Sequence, residues 1–303
     1  MKTVITMTLN PCIDKTIYVT SWEKGKTNHV NRTLEQVAGK GINVAFALKG
    51  LGIPVKAMGF SFKEDDGNVK NALNSEGIPF EFVTVPGKLR MNEKIFEEST
   101  CTMTELNESG QTVDGRYVDA VMEKLKAVLP KAAVLVLTGS VPPGVEKNIY
   151  GRMILAAKEF AVPVILDATK ELLLEGIKEI PFMIKPNKEE FETAFLEGKD
   201  ATEEELINKA KEIVNTGVEY VCISLGEEGA LLVSKTGVEK RSALKVPVRS
   251  LQGAGDSMVA GFCKALLENK KGQLLHYATI CAAATVSLEG TKMVDLEGFQ
   301  KLL

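Results

Sequence analysis

Histidine is scarce in this 303-residue chain, which contains only His29 and His276. A histidine-rich metal centre is therefore excluded, and a Ser-His-Asp triad has little to draw on. Cysteine is also sparse: the five cysteines, at positions 12, 101, 222, 263 and 281, are widely spaced and never form a Cys-x-x-Cys pair. This usage indicates a reducing, cytoplasmic compartment.

The chain also lacks a large net charge and a long apolar run. Its 37 basic residues are interspersed with 40 acidic ones, giving a net charge of -3, so no cationic field indicates nucleic acid as a partner. No apolar run reaches the roughly 18 residues that a membrane helix needs. With 45% hydrophobic and 25% charged residues, the composition is that of a globular chain, which leaves small anionic molecules as possible ligands.

Complete nucleotide-binding fingerprints are missing as well. The pairs Gly39/Gly41 and Gly253/Gly255 have the first spacing of the dinucleotide motif but lack its third glycine. Residues 139–144 have the glycine spacing of a P-loop, but Val and Glu follow where Lys and Ser or Thr are required. A Rossmann oxidoreductase and a P-loop enzyme are both disfavoured.

What the sequence does contain is an alternation of short apolar runs with amphipathic segments. Buried strands are predicted at 4–9, 55–59, 134–137, 162–166, 182–184 and 220–225. Helices are predicted at 42–51, 66–76, 116–129, 147–160, 203–216, 255–268 and 273–288. This alternation predicts an α/β fold with a parallel sheet covered on both faces, whose ligands bind at the carboxyl ends of the strands.

Two segments, 15–34 and 89–106, instead alternate with the two-residue period of strands. They predict a second, smaller sheet that stands off the main one as a discontinuous lid within a single domain spanning 1–303. The alternation sets Arg90, Asn92 and Lys94 on one face. That face is either turned to a ligand or simply solvated.

The stretch Gly253-Ala254-Gly255-Asp256 predicts an anion site beside a base. Its small residues let backbone N–H groups approach a phosphate at the start of a helix, and Asp256 lies next to them. Phosphoryl transfer needs these parts together. The alternative is a tight turn in which Asp256 only caps the helix.

Six motifs in order over nearly the whole chain resemble the PfkB, or ribokinase-like, sugar kinases. They are Leu9-Asn10-Pro11-Cys12-Ile13-Asp14-Lys15, Ala38-Gly39-Lys40-Gly41-Ile42-Asn43-Val44, Gly139-Ser140-Val141-Pro142-Pro143-Gly144, Lys185-Pro186-Asn187-x-x-Glu190, Ser224-Leu225-Gly226-x-x-Gly229 and Gly253-Ala254-Gly255-Asp256. The first two motifs, with Arg90-x-Asn92 and Thr104-Glu105-x-Asn107, resemble the phosphosugar kinase branch. The chain departs from the family at Ala38, where many relatives have Gly, and at Gln252, where Val is common.

The resemblance implies a ribokinase-like three-layer sandwich with a mostly parallel central sheet and a small β-sheet lid. It also implies a homodimer in which the lids pair. Pairing would cover edges that a small sheet otherwise exposes.

The resemblance further implies a substrate site with a carboxylate for sugar hydroxyls and cations for a phosphate. Its residues would be Asp14, Gly39, Lys40, Gly41, Asn43, Arg90, Asn92 and Ser140. Arg90 offers the planar fork that matches a phosphate and Lys40 a point charge, which suits a sugar that is already phosphorylated. The alternative for the glycines is a turn and helix cap.

The resemblance places ATP against small residues and a lysine, with Mg²⁺ nearby. The ATP-binding residues would be Lys185, Asn187, Ser224, Gly226, Gly229 and Gly255, and Glu190 would hold Mg²⁺ through water. Taken by itself, the turn at 224–229 is equally typical of a plain hairpin. A glutamate on a helix surface is usually only solvated.

Asp256 is the expected catalytic base, with the amides of Gly253, Ala254 and Gly255 stabilising the transition state. Because Asp256 lies at a helix N-terminus, we expect its charged form to be favoured, so that it is ionised at neutral pH.

The expected reaction is ATP-dependent phosphoryl transfer to a ketohexose phosphate, converting fructose 1-phosphate to fructose 1,6-bisphosphate. Tagatose 6-phosphate and fructose 6-phosphate are alternative acceptors. A non-catalytic sugar-phosphate or nucleotide sensor is a further alternative, although a sensor has no need of Asp256, Asn187 and Glu190.

Overall fold

The computed structural model describes residues 2–303. In chain order its strands are β1 (Thr3–Thr8), β2 (Cys12–Val19), β3 (Arg32–Ala38), β4 (Val55–Phe62), β5 (Phe80–Val85), β6 (Arg90–Glu97), β7 (Thr102–Asn107), β8 (Ala132–Thr138), β9 (Val164–Asp167), β10 (Met183–Ile184), β11 (Tyr220–Ser224), β12 (Ala230–Ser234) and β13 (Gly237–Arg241). Its α-helices are α1 (Lys40–Gly50), α2 (Asp66–Ser75), α3 (Gly115–Val128), α4 (Ile149–Lys158), α5 (Lys170–Ile177), α6 (Lys188–Phe195), α7 (Glu203–Asn215), α8 (Ala254–Leu267), α9 (Leu274–Val286) and α10 (Leu296–Leu302).

The central sheet has the strand order β13-β12-β11-β10-β9-β8-β1-β4-β5. Pairing is parallel from β11 through to β5, and antiparallel between β11, β12 and β13. The inner strands are buried on both faces, as their continuous apolar runs require.

Helices cover both faces of this sheet. Helix α8 packs against both α1 and α9, and α3, α4, α5 and α6 pack in a separate series. The predicted α/β fold, with a large, mostly parallel sheet and a small separate one, is confirmed.

The small sheet has the order β3-β2-β6-β7 and forms the lid. Its strand β2 pairs in parallel with β6, so that Asp14 lies beside Asn92. The first predicted lid segment, 15–34, was too narrow at both ends, because β2 begins at Cys12 and β3 continues to Ala38, while 20–31 contains no strand. The lid strands therefore lead directly into β1 on one side and α1 on the other.

Several elements went unpredicted, namely β5, β12, β13, α5 and α10. Most lie at an edge of the central sheet or on the surface, where the apolar signal is short. Within residues 2–303, no helix is long and apolar enough to cross a membrane.

Candidate active site

A cavity of about 1580 Å³ lies between the lid and the carboxyl ends of the central strands. Many of the residues predicted for the site line it: Asp14, Gly39, Lys40, Asn43, Arg90, Asn92, Ser140, Glu190, Gly253 and Asp256. The parallel topology explains this convergence, because loops that are far apart in sequence leave the same edge of the sheet. Eight other predicted residues are not part of its wall: Gly41, Lys185, Asn187, Ser224, Gly226, Gly229, Ala254 and Gly255.

Asp256 lies in the first turn of α8 and is only 6% exposed. Gly253 starts the helix from the left-handed region (φ 75°), which glycine adopts without strain. The Nδ2 of Asn43 donates a hydrogen bond to the Oδ2 of Asp256 at 2.8 Å. Asn43, predicted to contact the sugar, is thus also the partner that orients the candidate base.

The electrostatic prediction for Asp256 was wrong in direction. Burial raises the pKa of Asp256 to about 6, although the nearby Lys40 and the Asn43 hydrogen bond act to lower it. Loss of hydration, aided by the negative charge of Asp167, therefore outweighs the lowering effects of Lys40, Asn43 and Lys185 on this pKa. Asp256 remains mostly ionised at pH 7, and its raised pKa makes it a better proton acceptor than an ordinary aspartate.

A second buried carboxylate, Asp167, was missed by the sequence analysis. It ends β9, is 1% exposed, and pairs with the Nζ of Lys185 at 3.2 Å and the Nζ of Lys40 at 3.5 Å. The hydroxyl of Thr138 donates to it at 3.0 Å. Burial alone would raise the pKa of Asp167, but the two lysines and this hydrogen bond hold it below its ordinary value. Its position at the carboxyl end of a predicted strand was the signal that could have identified it.

Lys40 lines the cavity from the first turn of α1. Asp167, followed by Asp256 and Glu190, raises the pKa of Lys40 against the opposing effect of burial. The ammonium is therefore charged, and it lies among the carboxylates of the site. It remains available to an anion at the cavity wall, but its partners in this structure are protein carboxylates.

On the lid side, Asp14 of β2 is held by two donors from the neighbouring strand β6. The Nδ2 of Asn92 donates to its Oδ1 at 3.1 Å, and the Nζ of Lys94 donates to its Oδ2 at 2.7 Å. The thiol of Cys12 lies 3.4 Å from Oδ1, and burial raises the pKa of this thiol to about 12, so it stays protonated. Lys94 was noted as sharing a face with Arg90 and Asn92 but was not selected as a site residue.

Arg90 is fixed at the other end of this face. Its Nε donates to the backbone carbonyl of Asn10 at 3.2 Å, and one terminal nitrogen donates to Asn92 Oδ1 at 2.8 Å and to the carbonyl of Glu108 at 3.0 Å. The Nδ2 of Asn10 donates to the hydroxyl of Ser140 at 3.1 Å. These contacts set the guanidinium and Ser140 on the cavity wall.

The two glycines at the start of α1 have packing reasons for their identity. A Cβ on Gly41 would lie 2.3 Å from the carbonyl oxygen of Met7 in β1. Gly39 has φ 144°, and a Cβ there would lie 2.7 Å from the methyl group of Thr8. The missing side chains thus let the helix approach β1, which brings Lys40 and Asn43 to the cavity.

Most of the residues predicted to bind the nucleotide lie at the start of α6 and in the turn that follows β11. Asn187 and Glu190 form a capping box at the start of α6, in which each accepts a hydrogen bond from the other's backbone N–H. Asn187 also bridges to Ser224 at the end of β11. Gly226 and Gly229 form the turn between the antiparallel strands β11 and β12, and a Cβ on Gly229 would collide with the carbonyl of Arg241.

A buried carboxylate at a helix N-terminus, faced by lysines and covered by a lid, is the arrangement of a phosphoryl-transfer enzyme. The model of the pfkB family carbohydrate kinases matches residues 7–296. The chain belongs to this family and is a phosphotransferase. ATP is accordingly its co-substrate.

Three relatives illustrate this membership. The 1-phosphofructokinase of Escherichia coli K12 is 33% identical over 294 residues, which are 96% of this chain and 93% of the relative. The structure of a possible 1-phosphofructokinase from Thermotoga maritima is 28% identical with a TM-score of 0.89, covering 99% of this chain and 97% of that one. The phosphofructokinase-2 of E. coli in complex with potassium is 25% identical with a TM-score of 0.92, covering 100% and 98%.

Proposed function

We propose that this protein transfers the γ-phosphoryl group of ATP to fructose 1-phosphate, producing fructose 1,6-bisphosphate. The observation that carries the proposal is that Asp256, Asp14 and Arg90 line one cavity. They combine a base, a carboxylate that can accept hydrogen bonds from sugar hydroxyls, and a guanidinium that can bind a phosphate. Arg90 favours a substrate that already carries a phosphate. The E. coli and T. maritima relatives named for fructose 1-phosphate chemistry support this acceptor.

In the proposed reaction, a sugar hydroxyl near Asp256 attacks the γ-phosphorus of ATP. The new bond joins the hydroxyl oxygen to phosphorus, the bond from phosphorus to the β–γ bridging oxygen breaks, and ADP leaves with that electron pair. The hydroxyl proton goes to Oδ1 or Oδ2 of Asp256. The amides of the 253–255 turn balance the charge on the transferring group. The ammonium of Lys185, which is buried beside Gly255 and paired with Asp167, adds its positive charge from behind the cavity wall.

The residues present fit Mg²⁺ held mainly by ATP. Over the described residues 2–303, no group of three His, Cys, Asp or Glu side chains forms a ready-made metal site. Mg²⁺ commonly keeps several waters and binds one or two carboxylates together with substrate phosphates. Glu190 lines the cavity, and its Oε2 is used by the capping box, which leaves Oε1 for a metal-bound water. When bound, Mg²⁺ would neutralise charge on the phosphates.

For the nucleotide we propose Lys185, Asn187, Ser224, Gly226, Gly229 and Gly255 as contacts. These residues lie at the carboxyl ends of β10 and β11 and at the start of α8, and helix N-termini and turn amides of this kind are suited to bind phosphates. None of the six lines the cavity itself.

Fructose 6-phosphate is the second candidate acceptor, and tagatose 6-phosphate the third. The likeness to E. coli phosphofructokinase-2, with its TM-score of 0.92, favours keeping fructose 6-phosphate as a candidate. A sugar bound in the reversed orientation could place its phosphate at the same Arg90.

We also propose a homodimer joined through the lids. The lid face that carries Asp14 continues past the cavity with Tyr18, Phe96, Leu34 and Met103, of which Leu34 and Met103 are 36% and 42% exposed. Exposed apolar side chains of this kind are typical of an interface.

A cytoplasmic location is proposed because all five cysteines are free.

The deciding experiment measures ADP formation with Mg-ATP and fructose 1-phosphate, tagatose 6-phosphate, fructose 6-phosphate or free fructose. A kcat/KM at least about tenfold higher for one acceptor identifies it. If tagatose 6-phosphate leads, the proposed acceptor is wrong but the reaction class stands. No turnover with any of them contradicts the proposal.

A further inference from the structure

Lys94 is a charged side chain on the wall of the cavity that no step of the proposed reaction has yet used. It lies on β6, two residues beyond Asn92, and is 8% exposed. A lysine ammonium is rarely buried to this degree unless it is paired. The buried charge of Lys94 therefore needs a partner of opposite charge.

The partner is Asp14, whose Oδ2 accepts from the Nζ of Lys94 at 2.7 Å. The other oxygen, Oδ1, accepts from Asn92. Each carboxylate oxygen thus has a donor on β6, and the plane of the carboxylate is fixed. Lys94 supplies the only full positive charge in this arrangement, since Asn92 and the protonated Cys12 are neutral.

The ammonium of Lys94 has N–H donors that Asp14 does not use. It carries three N–H groups, and the described part of the chain provides no second hydrogen-bond acceptor for it besides Asp14. Glu105, opposite Lys94 on β7, lines the cavity but makes no ion pair with it in the described structure. The remaining N–H groups therefore suit an oxygen of a molecule in the cavity.

We propose that Lys94 is a second sugar-hydroxyl ligand that works as a unit with Asp14. Asp14 accepts a hydrogen bond from one hydroxyl, and Lys94 donates to the oxygen of that hydroxyl or of its neighbour. A donor and an acceptor side by side recognise a pair of adjacent hydroxyls and discriminate against analogues that lack one of them. This inference rests on the proposed function, and it assigns Lys94 to the hydroxyls and Arg90 to the phosphate.

The strand geometry supports that division. Lys94 follows Arg90 by four positions, which is roughly 13 Å along β6 at about 3.3 Å per residue. Asn92 stands between them and contacts both Arg90 and Asp14. A sugar phosphate lying along β6 would set its phosphate at one end and its hydroxyls at the other.

The test compares Lys94→Met with Arg90→Met and with Lys15→Met. Lys15 is the matched control: it is on the neighbouring strand β2 but on the opposite face, where it pairs with Glu35 at 3.6 Å and does not line the cavity. For each variant, the Kd for fructose 1-phosphate is measured by calorimetry and that for free fructose by competition, together with kcat and the KM for ATP.

Lys94→Met should weaken binding of both sugars by the same factor, roughly ten- to hundredfold, with the KM for ATP close to that of Lys15→Met. Arg90→Met should weaken the phosphorylated sugar selectively. Because Lys94 acts with Asp14, the double variant Asp14→Asn/Lys94→Met should bind little worse than Asp14→Asn alone.

Two results with the Lys94→Met variant would overturn the inference. One is a selective loss for the phosphorylated sugar in Lys94→Met, which would make Lys94 a phosphate ligand. The other is binding equal to that of Lys15→Met, which would leave Lys94 only a structural ion pair. Failure of the wild-type protein to turn over a sugar that it binds would contradict the proposed function alone, because these binding constants do not depend on catalysis. Failure of the wild-type protein to bind any ketohexose phosphate would overturn both the inference about Lys94 and the proposed function.

Discussion

At the scale of single residues, the site depends on a carboxylate that has been withdrawn from water. Asp256 is oriented by Asn43 and faces the cavity. We predict that Asp256→Asn lowers kcat by at least about a hundredfold, because the hydroxyl proton loses its acceptor. Nucleotide affinity and melting temperature should be retained, and single-turnover kinetics with ATP titration measures both effects. A kcat near the wild-type value would remove Asp256 from the role of base.

The raised pKa of Asp256 predicts a pH dependence with a definite sign. A base must be ionised, so kcat/KM should fall as the pH drops through about 6. Lys40 favours the ionised form, and Lys40→Met should therefore move this acid limb to higher pH. The pH profile of kcat/KM for each protein checks this. An acid limb near pH 4 in the wild-type protein, or a shift to lower pH in the variant, would contradict it.

At the scale of elements, the approach of α1 to β1 is what delivers Lys40 and Asn43. We predict that Gly41→Ala destabilises the protein by about 1–3 kcal/mol, because the new methyl group meets the carbonyl of Met7. Gly67→Ala in α2 is the control, since a Cβ there has open space and alanine favours helix. Urea unfolding midpoints measure the difference. Equal midpoints for the two variants would show that α1 shifts at no cost.

Asp167 joins several elements, because it ends β9 and contacts Thr138 of β8, Lys185 after β10 and Lys40 of α1. We predict that Asp167→Asn lowers the free energy of unfolding by about 3–5 kcal/mol, since it leaves two lysines without their buried partner. Asp200→Asn is the control, because its pair with Lys188 is on the surface. Denaturant titration of both variants checks this, and similar losses would show that Asp167 contributes no more than a surface ion pair.

The elements also show where sequence patterns sufficed. Strand β8 has a continuous apolar run, so its burial on both faces is legible without a structure. Strand β5, Phe80–Val85, alternates at the edge of the central sheet, and β12 and β13 add to the other edge by antiparallel pairing. Edge strands have weak patterns because one side has no neighbouring strand, so their place depends on the sheet that receives them.

At the scale of the whole molecule, the lid touches the rest of the enzyme beside the anion turn. Gln252, just before Gly253, lies with its Nε2 3.6 Å from the sulfur of Met103 on β7. On the other edge of the lid, Gln36 accepts from the hydroxyl of Thr291. The amide at position 252, a departure from the family pattern, thus contacts the lid.

The proposed lid dimer gives a prediction at this scale. Leu34→Glu places a charge among the exposed apolar residues of the lid and should dissociate the dimer, lowering activity at low protein concentration. Leu155→Glu is the control, since Leu155 is 48% exposed on α4, outside the lid. Sedimentation equilibrium measures the association. A monomeric wild-type protein, or a Leu34→Glu variant that still dimerises, would contradict lid pairing.

The sequence by itself determined the α/β fold, the parallel core, the lid and the family, because apolar periodicity and ordered motifs are local properties of the chain. It also identified Asp256, Asn43, Asp14 and Arg90 as candidates. Only the tertiary structure decided how these groups interact: that Asn43 binds Asp256, that Asp167 links two lysines, and that Lys94 holds Asp14. The pKa of Asp256 belongs with these, because it depends on how much water the folded chain removes, which no local pattern records.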